Sequence, residues 1–313
     1  MHHTSSPPRR LRRPRPRWSL ERLLIVIVAT VGVGVLLYPT AAGWFSDRVH
    51  ATEISGYADT VKDLAPTAQE ELLAQARAYN AKLPAGPLRD PYSLNEKGEK
   101  ETVGSGSEAY KNMLSVNSHG IMGNISIPSI KTNLPIYHGT GEASLTKGVG
   151  HLFGSSLPVG GTSTHSVLTA HSGYVSSTLF DSLKKVVTGD LFSVTVLDET
   201  IYYKVDQIKT VLPDETDDLR QVKGKDYITL ITCTPTGVNT HRLLVRGERV
   251  PAPDAAAKGP QTIPSNVTDP GFPWWVVILV GTAAAAIILS SPRVGESKRR
   301  ANEKKRANNV TMS

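Results

Sequence analysis

The sequence predicts a mainly β domain, a closed or nearly closed barrel, with a helical extension before it and an apolar segment on either side. Three observations point there. From Gly120 to Val250, short β-like runs are divided by Gly, Pro and Asn. Residues 50–83 instead repeat their apolar positions at helical spacing. Two charge-free apolar runs flank all of this, each beside a basic tail.

The tails explain the net charge. The chain has 313 residues and a formal charge of +7. Residues 1–22 hold seven Arg against Glu21, a charge of +6. Residues 293–313 hold seven Lys or Arg against Glu296 and Glu303, a charge of +5. The body between them is left at −4. A nucleic-acid footprint needs a basic face on the folded domain, so no nucleic-acid partner is expected.

Residues 23–38 and 274–289 are each sixteen residues without a charge. At ~1.5 Å per residue each covers roughly 24 Å, and residues 39–44 or 271–273 extend it towards the ~30 Å of a bilayer core. Buried core helices seldom carry seven cations beside one end, so both runs read as membrane spans. A cleaved signal peptide rivals the first reading, because small residues follow at 40–43. Lys and Arg are retained on the cytoplasmic side, which places both termini inside and residues 40–272 outside. The expected scheme is a basic tail (1–22), a span (23–42), an extracellular helical extension (43–83), a loop (84–118), the barrel (119–250), a linker (251–272), a second span (273–291) and a second basic tail (292–313).

In the extension, Ile54, Tyr57, Val61 and Leu64 form an amphipathic stripe that Pro66 interrupts. Thr67 is expected to cap a second helix, with Glu70 completing a capping box. Leu72, Leu73, Ala76, Tyr79 and Leu83 would face inward, and Pro84 would end it. Strands are expected near 122–127, 134–137, 166–170, 191–197, 201–211, 227–233 and 242–250.

The only cysteine, Cys233, excludes an intramolecular disulfide. An exported domain with one thiol either buries it as a small hydrophobe or uses it. In YITLITC (227–233) Thr229, Ile231 and Cys233 share one strand face. Pro235 cannot continue the ladder, so Cys233 ends the strand. An antiparallel return would bring Arg242 beside it. A cation near a thiol favours the thiolate, and a guanidinium can donate to an oxyanion. A cysteine nucleophile also needs a proton carrier. Among nine histidines, His171 ends the apolar run SVLTAH and precedes a turn. His2 and His3 lie in the tail, His50 and His119 at segment edges, His138, His151 and His165 in loops, and His241 before Arg242. Residue type and position alone leave His171 one candidate among these.

TLITCTPTGVNTHRLLVRG resembles the catalytic cysteine-to-arginine segment of sortases, and THSVLTAHSGY resembles their histidine segment. GNISIPSIKTNLPIYHGTGEASLTKGVGHLFGSSLPVGG resembles the stretch that precedes the histidine segment. The resemblance runs from about residue 119 to 250. It implies the sortase β-barrel, with Cys233, His171 and Arg242 as catalytic residues and no metal or organic cofactor. The implied substrates are exported proteins with LPXTG-type signals. The helical extension, the second apolar run and Asp90-Pro91-Tyr92 resemble class C sortases, which join pilins through a lysine amine. In that class an Asp-Pro-aromatic lid covers the site, so Asp90 would pair with Arg242 and Tyr92 would lie over Cys233. Asp-Pro also begins ordinary surface turns. Rival readings are a sortase that attaches proteins to cell-wall peptide, a cell-wall cysteine peptidase, and a non-enzymatic scaffold.

Overall fold

The computed structural model describes residues 19–84, 88, 90, 108–116, 120–174, 176–253 and 270–291. The expected lid residues Pro91 and Tyr92, nearly all of both basic tails and most of the linker lie outside the described residues. The chain divides into two compact units, Met1–Ala41 with Phe272–Ser313, and Ala42–Gly271.

Helix α1 (Leu20–Lys62) is unbroken over 43 residues and contains Pro39. The expected span over 23–42 and the expected amphipathic helix from residue 50 are therefore parts of one helix. Proline removes one hydrogen bond and crowds the preceding turn, but a long apolar helix tolerates that loss. Among the described helices, α1 is the one long and apolar enough to cross a membrane. Helix α5 (Trp274–Ser290) is apolar throughout but has 17 residues, about 25 Å of rise. Within the first unit these helices approach closely: a Cβ on Gly34 would lie 3.8 Å from Leu279 Cδ1. Thr30 and Thr282 each donate their hydroxyl to the carbonyl four residues back at 2.8 Å, so neither polar group is left without a partner.

The second unit is a closed barrel. Its strands are β1 (Ile121–Ile127), β2 (Thr132–His138), β3 (Val149–His151), β4 (Thr164–Thr169), β5 (Leu191–Val196), β6 (Glu199–Val211), β7 (Asp226–Thr234) and β8 (His241–Val250). They close in the order β1-β2-β3-β4-β7-β8-β6-β5. Pairs β2/β3 and β4/β7 are parallel. All seven expected strands are present. The eighth, β3, has only three residues with Gly150 at its centre, too short for alternation to show. His138, His151 and His165 lie in β2, β3 and β4 and not in loops as expected. Two of these are buried without strain because their rings find partners: His151 Nε2 meets Ser156 O at 2.8 Å, and His165 Nδ1 meets Arg220 O at 2.8 Å.

Helix α2 (Pro66–Lys82) starts two residues earlier than expected, with Ala65 as its N-cap and no side-chain cap bond. The expected Thr67–Glu70 capping box is therefore absent. Pro66 already occupies the first turn, where its fixed φ and missing N–H cost nothing, so Thr67 falls inside the helix. Its inner face buries Leu73 and Ala76, with Leu72 and Tyr79 at the rim. Asn80 docks this face by donating to Leu157 O at 3.0 Å and accepting from Leu157 N at 2.7 Å. Tyr57 docks α1 in the same manner: its hydroxyl donates to Met122 O at 3.1 Å and accepts from Leu197 N at 2.8 Å. Two short helices, α3 (Glu108–Asn112) and α4 (Glu142–Leu145), complete the unit.

Candidate active site

Strand alternation sorts β7 onto two faces. Ile228 and Leu230 enter the main core with Leu168 and Val245. Ile231 points the other way, into a smaller cluster of Leu152, Val167, Leu219 and Leu244. Cys233, two residues on, shares the face of Ile231. Its cross-strand partner is Arg242, as the antiparallel return predicts. Both are buried. The β7–β8 connection contains a cis Thr234–Pro235 bond and left-handed residues at Gly237 and Asn239.

Arg242 is held on several sides. Its Nε and Nη2 donate to the two carboxylate oxygens of Asp90 at 2.8 and 2.7 Å, a bidentate geometry. Nη1 donates to Asn239 O at 3.0 Å and His241 O at 3.2 Å. Asp90 is itself buried. Leu88, just before it, packs against the smaller cluster. Residues 88 and 90 thus lie across the outer face beside Cys233.

His171 arrives from the neighbouring strand. The parallel register pairs Thr169 with Ile231, which brings His171 level with Cys233 two residues later. Three hydrogen bonds keep the chains together beyond the ladder. Ala170 N donates to Ile231 O (3.2 Å), Thr232 Oγ1 to Ala170 O (2.8 Å), and Ser172 Oγ to Cys233 O (2.6 Å). Gly173 has φ +75°, and a Cβ there would run into Thr236, so only glycine lets the two loops meet this closely. The His171 ring stacks on Tyr174 at 5.6 Å, and its Nε2 lies 4.0 Å from Glu142 Oε2.

The loop after His171 is braced by α1. Ser46 Oγ donates to Ser177 Oγ at 2.8 Å, and Thr178 Oγ1 donates to Asp47 Oδ1 at 3.4 Å. His50 sits beside Ser46 and bonds the backbone of Lys147. Burial is the main cause that pushes its pKa down to about 4, so it is a neutral strut at physiological pH. Burial likewise raises the Asp47 carboxyl.

The structure therefore joins Cys233 with Arg242, Arg242 with Asp90, and the His171 segment with the end of β7. It adds Leu88, Glu142, Ser46 and Ser177, to none of which the sequence assigned a role. A cavity of about 810 Å³ lies around Arg77, Glu199, Asp226 and Arg249, near the start of β7 and away from Cys233. Its charges pair among themselves, Arg77 with Glu199 and Arg249 with Asp226. Only the Cys233 end combines a thiol, a guanidinium and an imidazole, the parts that acyl transfer requires.

Residues 125–250 match the family model for the Sortase domain. Sortase A of Streptococcus agalactiae is 29% identical over 131 residues, which is 41% of this chain and 52% of that protein. Sortase A of Listeria monocytogenes is 31% identical over 151 residues, 48% of this chain and 66% of that protein. The chain spans between half and two thirds of the length of these curated relatives. Among solved structures, sortase C-1 of Actinomyces oris is 49% identical with a TM-score of 0.54, covering 60% of this chain and all of that one. Sortase C-1 of Streptococcus pneumoniae is 42% identical with a TM-score of 0.59, covering 64% and 100%.

Proposed function

The chain belongs to the sortase family, and from that premise we propose that it is a membrane-anchored cysteine transpeptidase that joins exported pilins. The observation that supports this most is the bidentate Asp90–Arg242 pair beside Cys233, inside a barrel similar to sortase C-1 structures.

In this reading the Cys233 thiolate attacks the threonyl carbonyl carbon of an LPXTG-type signal. Arg242 donates N–H bonds to the resulting oxyanion. Its Nε and Nη2 are occupied by Asp90, so the lid segment must leave before they can serve substrate. The tetrahedral adduct collapses, the carbon–nitrogen bond breaks, and the departing glycine amine takes a proton from the His171 imidazolium. The pilin is then a thioester on Cys233. A lysine amine of the next pilin attacks that carbonyl, His171 takes its proton, and the carbon–sulfur bond breaks to return the thiolate. The product is an isopeptide-linked chain. Residues 23–42 and 273–291 are proposed as spans with both basic tails in the cytoplasm and the barrel outside. The roles of Pro91 and Tyr92 in the lid belong to the same proposal.

The test is intact-mass spectrometry on the full chain in detergent, with Asp90 and Tyr92 changed to Ala and an LPXTG peptide supplied without acceptor. The expected result is a mass gain equal to the peptide cut after threonine, mapped to Cys233. A folded chain that forms no adduct would overturn the proposal. With a pilin added, a ladder of isopeptide multimers is expected; products formed only with wall peptide would assign the chain to wall attachment.

A further inference from the structure

We propose that Glu142 recruits the lysine ammonium of the acceptor to His171; this rests on the transpeptidase reading above. The barrel order β2-β3-β4-β7-β8 lays four chemical groups along one rim. Glu142 lies on α4 between β2 and β3, His171 just past β4, Cys233 at the end of β7, and Arg242 at the start of β8. The row runs carboxylate, imidazole, thiol, guanidinium, with opposite charge at its two ends.

The two ends differ in access. Arg242 is 9% exposed at its side chain and clasped by Asp90, whereas Glu142 is 51% exposed. The acyl donor contributes a carbonyl oxygen, which the Arg242 end suits. The acceptor brings the opposite requirement. A lysine side chain has a pKa near 10.4 and reaches the site as an ammonium, which must lose a proton before it can attack. The proton carrier is His171, and Glu142 Oε2 is 4.0 Å from its Nε2. A carboxylate half in solvent and beside the base attracts the ammonium to the place where its proton is removed, a preference that water does not share. Neither Tyr174, stacked on the His171 ring, nor Arg242 offers a negative charge for this.

The experiment compares wild type, Glu142→Gln and Glu142→Asp as full chains in detergent. It measures acylation by the LPXTG peptide alone and then transfer to a lysine-bearing pilin peptide over a range of concentrations. Glu142→Gln is expected to raise the KM for the lysine peptide about three- to tenfold, a larger loss than any it causes in acylation. Glu142→Asp should recover most of that loss. Raising salt should raise the wild-type KM for the acceptor and leave that of Glu142→Gln nearly flat, because only the former depends on a screened attraction. An unchanged acceptor KM in Glu142→Gln would overturn the proposal. So would acylation falling in step with transfer, since that would make Glu142 a positioning residue for His171. Wild type that acylates but never joins lysine would defeat the pilin reading itself, and it is seen before any Glu142 variant is compared.

Discussion

His165 and His171 stand six residues apart on one segment of chain, yet the fold treats them in opposite ways. His165 lies within β4 and is 1% exposed. Both of its ring nitrogens are engaged, Nδ1 with Arg220 O at 2.8 Å and Nε2 with Thr229 Oγ1 at 2.7 Å. Burial above all lowers its pKa to about 4, with nearby Arg246 acting the same way. His171 stands past the end of the same strand, level with Cys233, and faces Tyr174 and Glu142. One histidine has every valence spent on holding β4, β7 and the Arg220 segment together. The other is aimed at the end of the strand where the thiol is. Residue type says nothing of this difference; position relative to the strand end decides it.

The comparison is broken most directly by removing each ring. His171→Ala is expected to lower the rate of thioacyl formation by about 10²–10⁴-fold, the usual worth of a positioned proton carrier, while the melting temperature stays close to that of wild type. His165→Ala should do the reverse. It strands the buried hydroxyl of Thr229 and removes a tie to the Arg220 carbonyl, so the fold should lose about 1–3 kcal/mol, with activity per folded molecule nearly intact. Denaturant unfolding and single-turnover acylation on both variants would check this. Equal losses of activity in the two would remove the distinction.

Acid sharpens the contrast further. His50, His151 and His165 are each pushed to about 4, burial being the first cause in every case. The unfolded chain takes up a proton at each below an ordinary pKa near 6.5, while the fold resists until about 4. Stability is therefore complete above pH 6.5 and is lost progressively as the pH falls from 6.5 towards 4, by roughly 1–3 kcal/mol for each histidine. A Gln at position 165 should flatten that dependence, seen as a smaller difference in unfolding midpoint between pH 7 and pH 4.5. An unchanged slope would mean that His165 does not stay neutral in the fold.

The same logic shows what was readable beforehand. Cys233 opposite Arg242 follows from strand alternation, a proline stop and a short return, all local signals. The parallel meeting of β4 with β7 was not readable from spacing, because it joins segments about sixty residues apart; the family resemblance implied only that His171 and Cys233 act together. His165 was placed in a loop because a polar run hides the fact that its partners, Arg220 and Thr229, come from elsewhere in the chain. The capping box at Thr67 failed because Pro66 competes for the same turn and wins. Leu88 carries no periodicity at all, and only the cluster of Leu152, Val167 and Leu244 beneath it reveals its place. Signals confined to one element survive in sequence, while those that need two distant elements do not.

The smallest predicted effect tests how the reactive histidine is kept in place. The loop that follows His171 has little regular structure of its own, and the shorter of its two side-chain ties to α1 runs through Ser177, which accepts a hydrogen bond from Ser46 at 2.8 Å, against 3.4 Å for Thr178 to Asp47. Ser177 is buried, so Ser177→Ala leaves the Ser46 hydroxyl to find another acceptor and costs about 1 kcal/mol. That cost falls on a loop and not on the barrel, since the main core of β7 and β8 is untouched. Global unfolding should shift little, and acylation should slow by about two- to fivefold through a less populated His171 position. The readout that separates this from plain destabilisation is temperature. Cooling should restore the Ser177→Ala rate towards wild type if loop excursions are the cause, whereas a fixed fractional loss at all temperatures would show that α1 does not steady His171 through Ser177.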